Sequence, residues 1–236
     1  MKVLRIQLLP RKKNRVLVHL EALDGMEPLE IALDVVERSG LHVGDSVTAI
    51  HLAQLQADDT KWQTRQAALH LLSYRPRAEQ ELRARLRAKG FAHASVEWCL
   101  RLLKEQGLID DHAFASAFVR SRIRLRPRGR FRLTQELRQK GVSAEVAEQA
   151  IAEAFSNEET SERDLACVAA RGWLDRQGAT LIESLAGTDR TERERARRRL
   201  HAFLSRRGFG ADVIRVGMEA AENGAREAVG QEDARS

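Results

Sequence analysis

The sequence predicts a mainly α protein: three tandem three-helix repeats in an elongated array, preceded by a small N-terminal β-containing segment. Three observations carry this. First, Glu81-Leu82-Arg83-Ala84-Arg85-Leu86-Arg87-Ala88-Lys89-Gly90-Phe91 returns, altered, at Leu133 to Val142 and again at Leu200 to Phe209. Aligned on Gly90, Gly141 and Gly208, the copies superpose Leu82, Leu133 and Leu200, then Leu86, Leu137 and Leu204. Leucines four apart lie on one helix face. A glycine after a basic last turn fits the left-handed residue that ends a helix. Lys89, Lys140 and Arg207 suit the negative end of the helix dipole. Second, each copy is followed by another amphipathic pattern, Val96, Leu100 and Leu103 matching Ala147, Ile151 and Ala154, and Ile214, Met218 and Ala221. The unit is therefore helix, glycine turn, helix, and internal repetition of this kind organises a whole chain. Third, hydrophobicity alternates over residues 1 to about 33, as in strands.

The expected organisation is residues 1–60 as the β-containing segment, repeats at 61–109, 110–157 and 158–224, and a flexible tail over 225–236. In the first segment, Val3 to Leu8, Val16 to Glu21 and Leu29 to Leu33 read as an antiparallel sheet. A basic turn from Pro10 to Arg15 and a hairpin signal at Asp24-Gly25 join the strands. A short helix from Asp34 to Arg38 should stop at Ser39-Gly40, and Thr48 can cap a second helix running toward Asp58-Asp59. From Trp62 the pattern is helical. Each repeat has a lead helix and a hairpin, divided by Arg75-Pro76-Arg77 in the first and Pro127-Arg128-Gly129 in the second. A longer gap, roughly 177 to 190, divides them in the third. Asp111 is placed to cap the second repeat's lead helix, and Thr191-Glu192-Arg193-Glu194 fits a capping box. No stripe makes a core alone, so the helices of a unit pack together and the units stack.

The chain has 236 residues, 43% hydrophobic, which excludes a disordered chain and allows a sizeable core. Aromatics are only 5%, so leucine, alanine, valine and isoleucine must fill that core. Cys99 and Cys167 fall on apolar helix faces and read as small hydrophobes in a reducing compartment. No apolar run could span a bilayer and the N-terminus has no signal-peptide core, so a cytoplasmic protein without membrane contact is expected.

Lys+Arg 40 against Asp+Glu 34 gives a net charge of +6 and a pI of 9.8. The distribution is uneven. Arg120, Arg122, Arg124, Arg126, Arg128, Arg130 and Arg132 alternate through a stretch with no acid between Asp111 and Glu136. Arg83, Arg87 and Lys89 flank it in the first repeat and Lys140 in the second, with Arg197, Arg198 and Arg207 in the third. A concentrated positive field of this kind suits a polyanion or an acidic protein surface, and these residues are the candidate contacts to a nucleic acid or such a surface. Signatures of catalysis are missing. There is no glycine-rich phosphate loop, no zinc-protease or serine-hydrolase motif, and no cysteine–histidine cluster. Asp110-Asp111 reads as helix capping rather than a catalytic or metal pair. His19 and His201 read as surface or boundary residues. The expectation is a non-enzyme without cofactor.

Arg75-Pro76-Arg77-Ala78-Glu79-Gln80-Glu81-Leu82-Arg83 with Leu86 to Phe91 resembles the first signature of the RecX family. Leu108-Ile109-Asp110-Asp111 with Phe114-Ala115 and Phe118 to Arg122 resembles its second, and Gln135 to Val142 its third. The resemblance covers about residues 62 to 222. Ala78 departs from it, standing where the family often has a serine able to cap the helix. The resemblance implies tandem three-helix repeats and a small regulator that lodges in the groove of RecA–DNA filaments and, like most members, suppresses recombinase and ATPase activity. Many members also bind DNA, so single- or double-stranded DNA is an expected partner of the basic surface, and a monomer is expected. Two other classes are open to the sequence. A helix-turn-helix transcriptional regulator would want Asn or Gln beside Arg on one exposed helix face, where the hairpins offer mostly Arg and Ala. A nuclease would need clustered carboxylates beyond Asp110-Asp111.

Overall fold

The computed structural model describes residues 1–236 except 11, 13, 22–26, 158–160 and 234–236. The hairpin signal at Asp24-Gly25 lies outside the described residues. The chain divides into two compact units, Met1–Ile109 and Asp110–Ser236.

In the first unit, β1 (Val3–Leu8), β2 (Arg15–Leu20) and β3 (Leu29–Ala32) form the expected antiparallel sheet in the order β1-β2-β3. Ile6 pairs with Val18, and Val16 with Ile31. Val3, Val16, Val18 and Ile31 are buried, whereas Leu4 and Leu8 face outward. A small sheet needs a covering element. It has α1 (Leu33–Ser39), ended by Gly40 at φ 67°, and α2 (Ala49–Tyr74), which brings Leu52 and Leu55 into the same core. Thr48 caps α2, its hydroxyl accepting from the His51 N–H at 3.2 Å.

The helix does not stop at Asp58-Asp59, so the boundary expected at 60/61 falls inside α2. The reason is local. No glycine or proline breaks the run, and both carboxylates have partners. Asp58 accepts from Gln54 at 2.9 Å and Lys61 at 3.1 Å. Buried Asp59 accepts from Arg15 at 2.6 Å and from the Ala32 N–H at 2.8 Å, binding α2 to β2 and β3.

The first repeat is completed by α3 (Glu79–Ala88) and α4 (His93–Glu105). Arg77 turns inward, donating to the Leu71 carbonyl at 3.0 Å, and so satisfies the end of α2. Ala78 stands at the N-cap of α3 without a side-chain cap and is fully buried. Glu79 and Glu81 supply first-turn charge in its place. Gly90 has φ 90°, and the Phe91 N–H returns to the Leu86 carbonyl at 3.3 Å. Leu82, Leu86, Val96, Leu100 and Leu103 fill the core with Cys99, whose thiol pKa burial pushes up to about 11.

The second unit holds α5 (Asp111–Leu125), α6 (Arg130–Gln139), α7 (Ala144–Asn157), α8 (Glu162–Leu174), α9 (Ala179–Ala186), α10 (Arg190–Arg206) and α11 (Ala211–Asp233). The repeat pattern is realised in full. Leu133, Leu137, Leu200 and Leu204 are completely buried, and Gly141 and Gly208 have φ 88° and 78°. Ala147, Ile151, Ala154, Ile214, Met218 and Ala221 all face inward.

Several details depart from the sequence reading. Asp110, not Asp111, caps α5, accepting from the Ala113 N–H at 2.9 Å. Asp189, not Thr191, caps α10, so the helix begins two residues earlier. The long gap of the third repeat contains α9, anchored by buried Leu185. Residues 225–233, expected as a flexible tail, continue α11, and Ala225 is fully buried.

Candidate polyanion interface

The arginine run begins on α5 and passes through a built corner. Pro127 lacks an N–H and disfavours the helical conformation for the residue before it, so Arg126 leaves the helix at φ −150° and ψ 77° and α5 ends at Leu125. Gly129 opens α6. The third repeat closes on this corner: the Gly129 N–H donates to the Arg207 carbonyl and an Arg207 guanidinium nitrogen donates to the Pro127 carbonyl, both at 2.9 Å.

The run has no acid in sequence, but the fold supplies two. Glu136 lies 3.1 Å from Arg122, 3.0 Å from Arg132 and 3.7 Å from Arg128. Burial alone would raise its pKa. Hydrogen bonds from Arg122 and Arg132, with the charges of Arg128 and Arg122, hold it below the ordinary carboxylate range instead. Glu162, first residue of α8, pairs with Arg130 at 3.5 Å and accepts from its backbone N–H at 2.8 Å, capping α6 from the next repeat. Arg124 is engaged as well. Arg120 and Arg126 are exposed and form no ion pair among the described residues.

The other nominated cations divide in the same way. Arg83 is held by Glu97 at 2.8 Å and Glu79 at 2.5 Å, and the Glu97 hydrogen bond raises its pKa. Arg197 pairs with Glu222 at 2.8 Å and Arg198 with Glu194 at 3.3 Å. Arg87 and Lys89 are exposed, with no ion pair among the described residues. Lys140 and Arg122 stand over the Phe118 ring, 5.3 and 4.6 Å from its centroid.

Arg124, Arg126, Arg128 and Arg207 do come together. With Arg176, just past α8, they line one cleft of about 690 Å³ whose lining, among the described residues, includes no carboxylate. The sequence reading missed Arg176. It follows Asp175 directly and looks like an ordinary solvated turn; only the packing of α8 against the corner places it. It also missed Phe131, a large apolar side chain 75% exposed beside Arg130 and Arg138. Among the described residues no three acidic, histidine or cysteine side chains are grouped to hold a metal ion, and no helix is long and apolar enough to cross a membrane.

Tandem three-helix units with cations at their turns define a class of basic helical-repeat proteins, and comparison with known proteins gives the family. The first three-helix domain of RecX matches residues 65–103 and the second matches 110–151. A regulatory protein RecX of Prosthecochloris aestuarii is 35% identical over 148 residues, 63% of this chain and 86% of the relative. One from Halalkalibacterium halodurans is 33% identical over 177 residues, 74% of this chain and 64% of the relative. A crystal structure of regulatory protein RecX shares the fold, with a TM-score of 0.69, 24% identity, and coverage of 93% of this chain and 100% of that one. The chain belongs to the RecX family of regulatory proteins.

Proposed function

We propose that this protein binds RecA–DNA filaments and restrains the recombinase and its ATP hydrolysis, acting as a cytoplasmic monomer with no catalysis of its own. The observation that carries the reading is the match to both RecX three-helix domains, in sequence and in order, within a chain whose cations recur at equivalent turns. Exposed Arg87 and Lys89 in the first repeat and Arg120 and Arg126 in the second offer charge that internal ion pairs do not use. Such charge is suited to DNA phosphates or to acidic faces of a filament.

The test is RecA ATP hydrolysis on single-stranded DNA, with this protein added after the filament has formed. Hydrolysis should slow at amounts well below one protein per nucleotide. A generic polycation competes for free DNA and loses its effect once the filament exists. No effect after assembly, together with sequence-preferring binding to naked DNA, would replace this reading with a helix-turn-helix transcriptional regulator. For that reader, exposed Gln135, Arg138 and Gln139 on α6 would be the base-contacting face.

A further inference from the structure

The cleft between the second and third repeats gathers positive charge that the protein itself leaves poorly balanced. Arg126 comes from the corner after α5, Arg128 from the loop leading into α6, Arg176 from the end of α8 and Arg207 from the end of α10. Arg126 and Arg176 have no ion pair among the described residues. Arg128 reaches Glu136 only at 3.7 Å, and its Nε is buried without a hydrogen-bond partner. One Arg207 guanidinium nitrogen donates to the Pro127 carbonyl, the group lies over the Phe203 ring at 4.6 Å, and it forms no ion pair among the described residues. Burial, then the charges of Arg128, Arg176 and Arg126, push its pKa below the ordinary arginine value. Like charges held this close oppose the packing of the two repeats, and an anion between them would reverse that sign.

The chemistry of the lining narrows the anion. Guanidinium forks match phosphate and carboxylate oxygens in pairs. One carboxylate would satisfy one fork, whereas several forks converging from three segments suit the successive charges of a phosphate chain. Among the described residues no aromatic ring, Asn or Gln lines the cleft, so its lining offers nothing to stack on a base or to read its edge. We infer that this cleft grips the phosphodiester backbone of DNA independently of sequence, and that the bound phosphates tie the second repeat to the third. Arg207 makes the tie direct. Its guanidinium faces the cleft while its carbonyl holds the Gly129 N–H. The inference rests on the proposed function only in taking DNA as the partner that supplies phosphates.

The test needs no RecA. Binding of a labelled oligo(dT) is followed against salt for the wild type, for Arg126→Gln with Arg176→Gln, and for a charge-matched control, Arg5→Gln with Arg101→Gln, two exposed arginines outside the cleft. The cleft variant should flatten the dependence of log K on log salt by about 1.4, for two lost contacts to a single strand. The control should keep the wild-type slope. Oligo(dT) should raise the wild-type Tm, since a ligand that binds only the folded state stabilises it. That rise should shrink in the cleft variant, whose Tm without ligand stays at the wild-type value or above. Equal loss of slope in the control would make net charge the cause and overturn the inference. So would a Tm rise matched by inorganic pyrophosphate or by an oligo-glutamate of equal charge, which would make the cleft a free-phosphate or acidic-protein site. A protein that passes these tests yet leaves filament ATP hydrolysis unchanged keeps this inference and loses the proposed function; the opposite pattern separates them the other way.

Discussion

The backbone N–H of Gly129 donates to the carbonyl of Arg207 at 2.9 Å, and this one bond brings Gly129 and Gly208 into direct backbone contact. A Cβ on Gly129 would overlap the Gly208 carbonyl, and a Cβ on Gly208 would overlap the Arg132 backbone. Gly90, at the same repeat position as Gly208, has open space around it. The repeated glycine therefore does one job in the first repeat and two in the third.

Three alanine substitutions separate those jobs. Gly90→Ala meets only the left-handed backbone and should cost about 1–2 kcal/mol. Gly129→Ala, at an ordinary φ of −74°, meets only the packing clash and should cost about 1–3 kcal/mol. Gly208→Ala meets both and should cost roughly their sum, about 3 kcal/mol or more. Urea unfolding of the three variants gives the order. A Gly129→Ala protein as stable as the wild type would mean that the two repeats do not close on each other as described.

Asp59 should be the most sensitive polar residue of the first unit. Asp59→Ala leaves Arg15, almost buried, without its 2.6 Å partner, and strands the Ala32 N–H. Arg15 keeps Glu30 at 3.1 Å, so the cost is that of one stranded buried N–H and one of two ion pairs, about 1–3 kcal/mol. Asp59→Asn keeps an acceptor for Ala32 and should cost less. Hydrogen exchange should locate the loss in β2 and β3. Unchanged protection of the Val16 and Ile31 amides in Asp59→Ala would argue that the sheet does not depend on this residue.

The helices were legible because their signals are local. Leucines at Leu82 and Leu86 with Gly90 behind them encode a face and a stop within nine residues, and the copies at Leu133 and Leu200 repeat the message. What was not legible is set by distant groups. Asp58-Asp59 looks like a helix end until Arg15 and Ala32, from the sheet, turn Asp59 inward. The arginine run looks unpaired because Glu136 meets Arg122 and Arg128 only across the α5–α6 corner, and Glu162 arrives from the next repeat. Arg176 joins the cleft through packing alone, with no neighbouring signal in the chain.

Glu136 gives a pH dependence of known sign. Its folded pKa is depressed, so its contribution is fully present above the ordinary value of 4.5 and is lost as pH falls through the lower folded value. The wild-type Tm should therefore fall on acidification below about 4.5, with Glu79 and Glu81 contributing in the same direction. Glu136→Gln should have a lower Tm at neutral pH, and its difference from wild type should narrow as Glu136 is protonated. A difference that stays constant into acid would mean that the carboxylate charge does not hold the arginines.

The last prediction sorts two arginines that the sequence treats alike. Arg83 and Arg87 lie four apart on α3, and each was a candidate contact for the same partner. The fold gives them different work. Arg83 bridges α3 to α4 through Glu97 while holding Glu79 on its own helix, so its charge is already used. Arg87 is exposed and makes no ion pair among the described residues. Arg83→Gln should lower stability by about 1 kcal/mol, the scale of a partly exposed ion-pair network, and leave the salt dependence of DNA binding nearly unchanged. Arg87→Gln should leave stability within about 0.5 kcal/mol and flatten the slope of log K on log salt by about 0.7 on single-stranded DNA. Both variants lose one positive charge, so any effect of net charge alone appears equally in the two. Equal slopes in the pair would remove Arg87 from the interface. A larger loss of slope in Arg83→Gln would mean that its carboxylate partners release it when DNA binds.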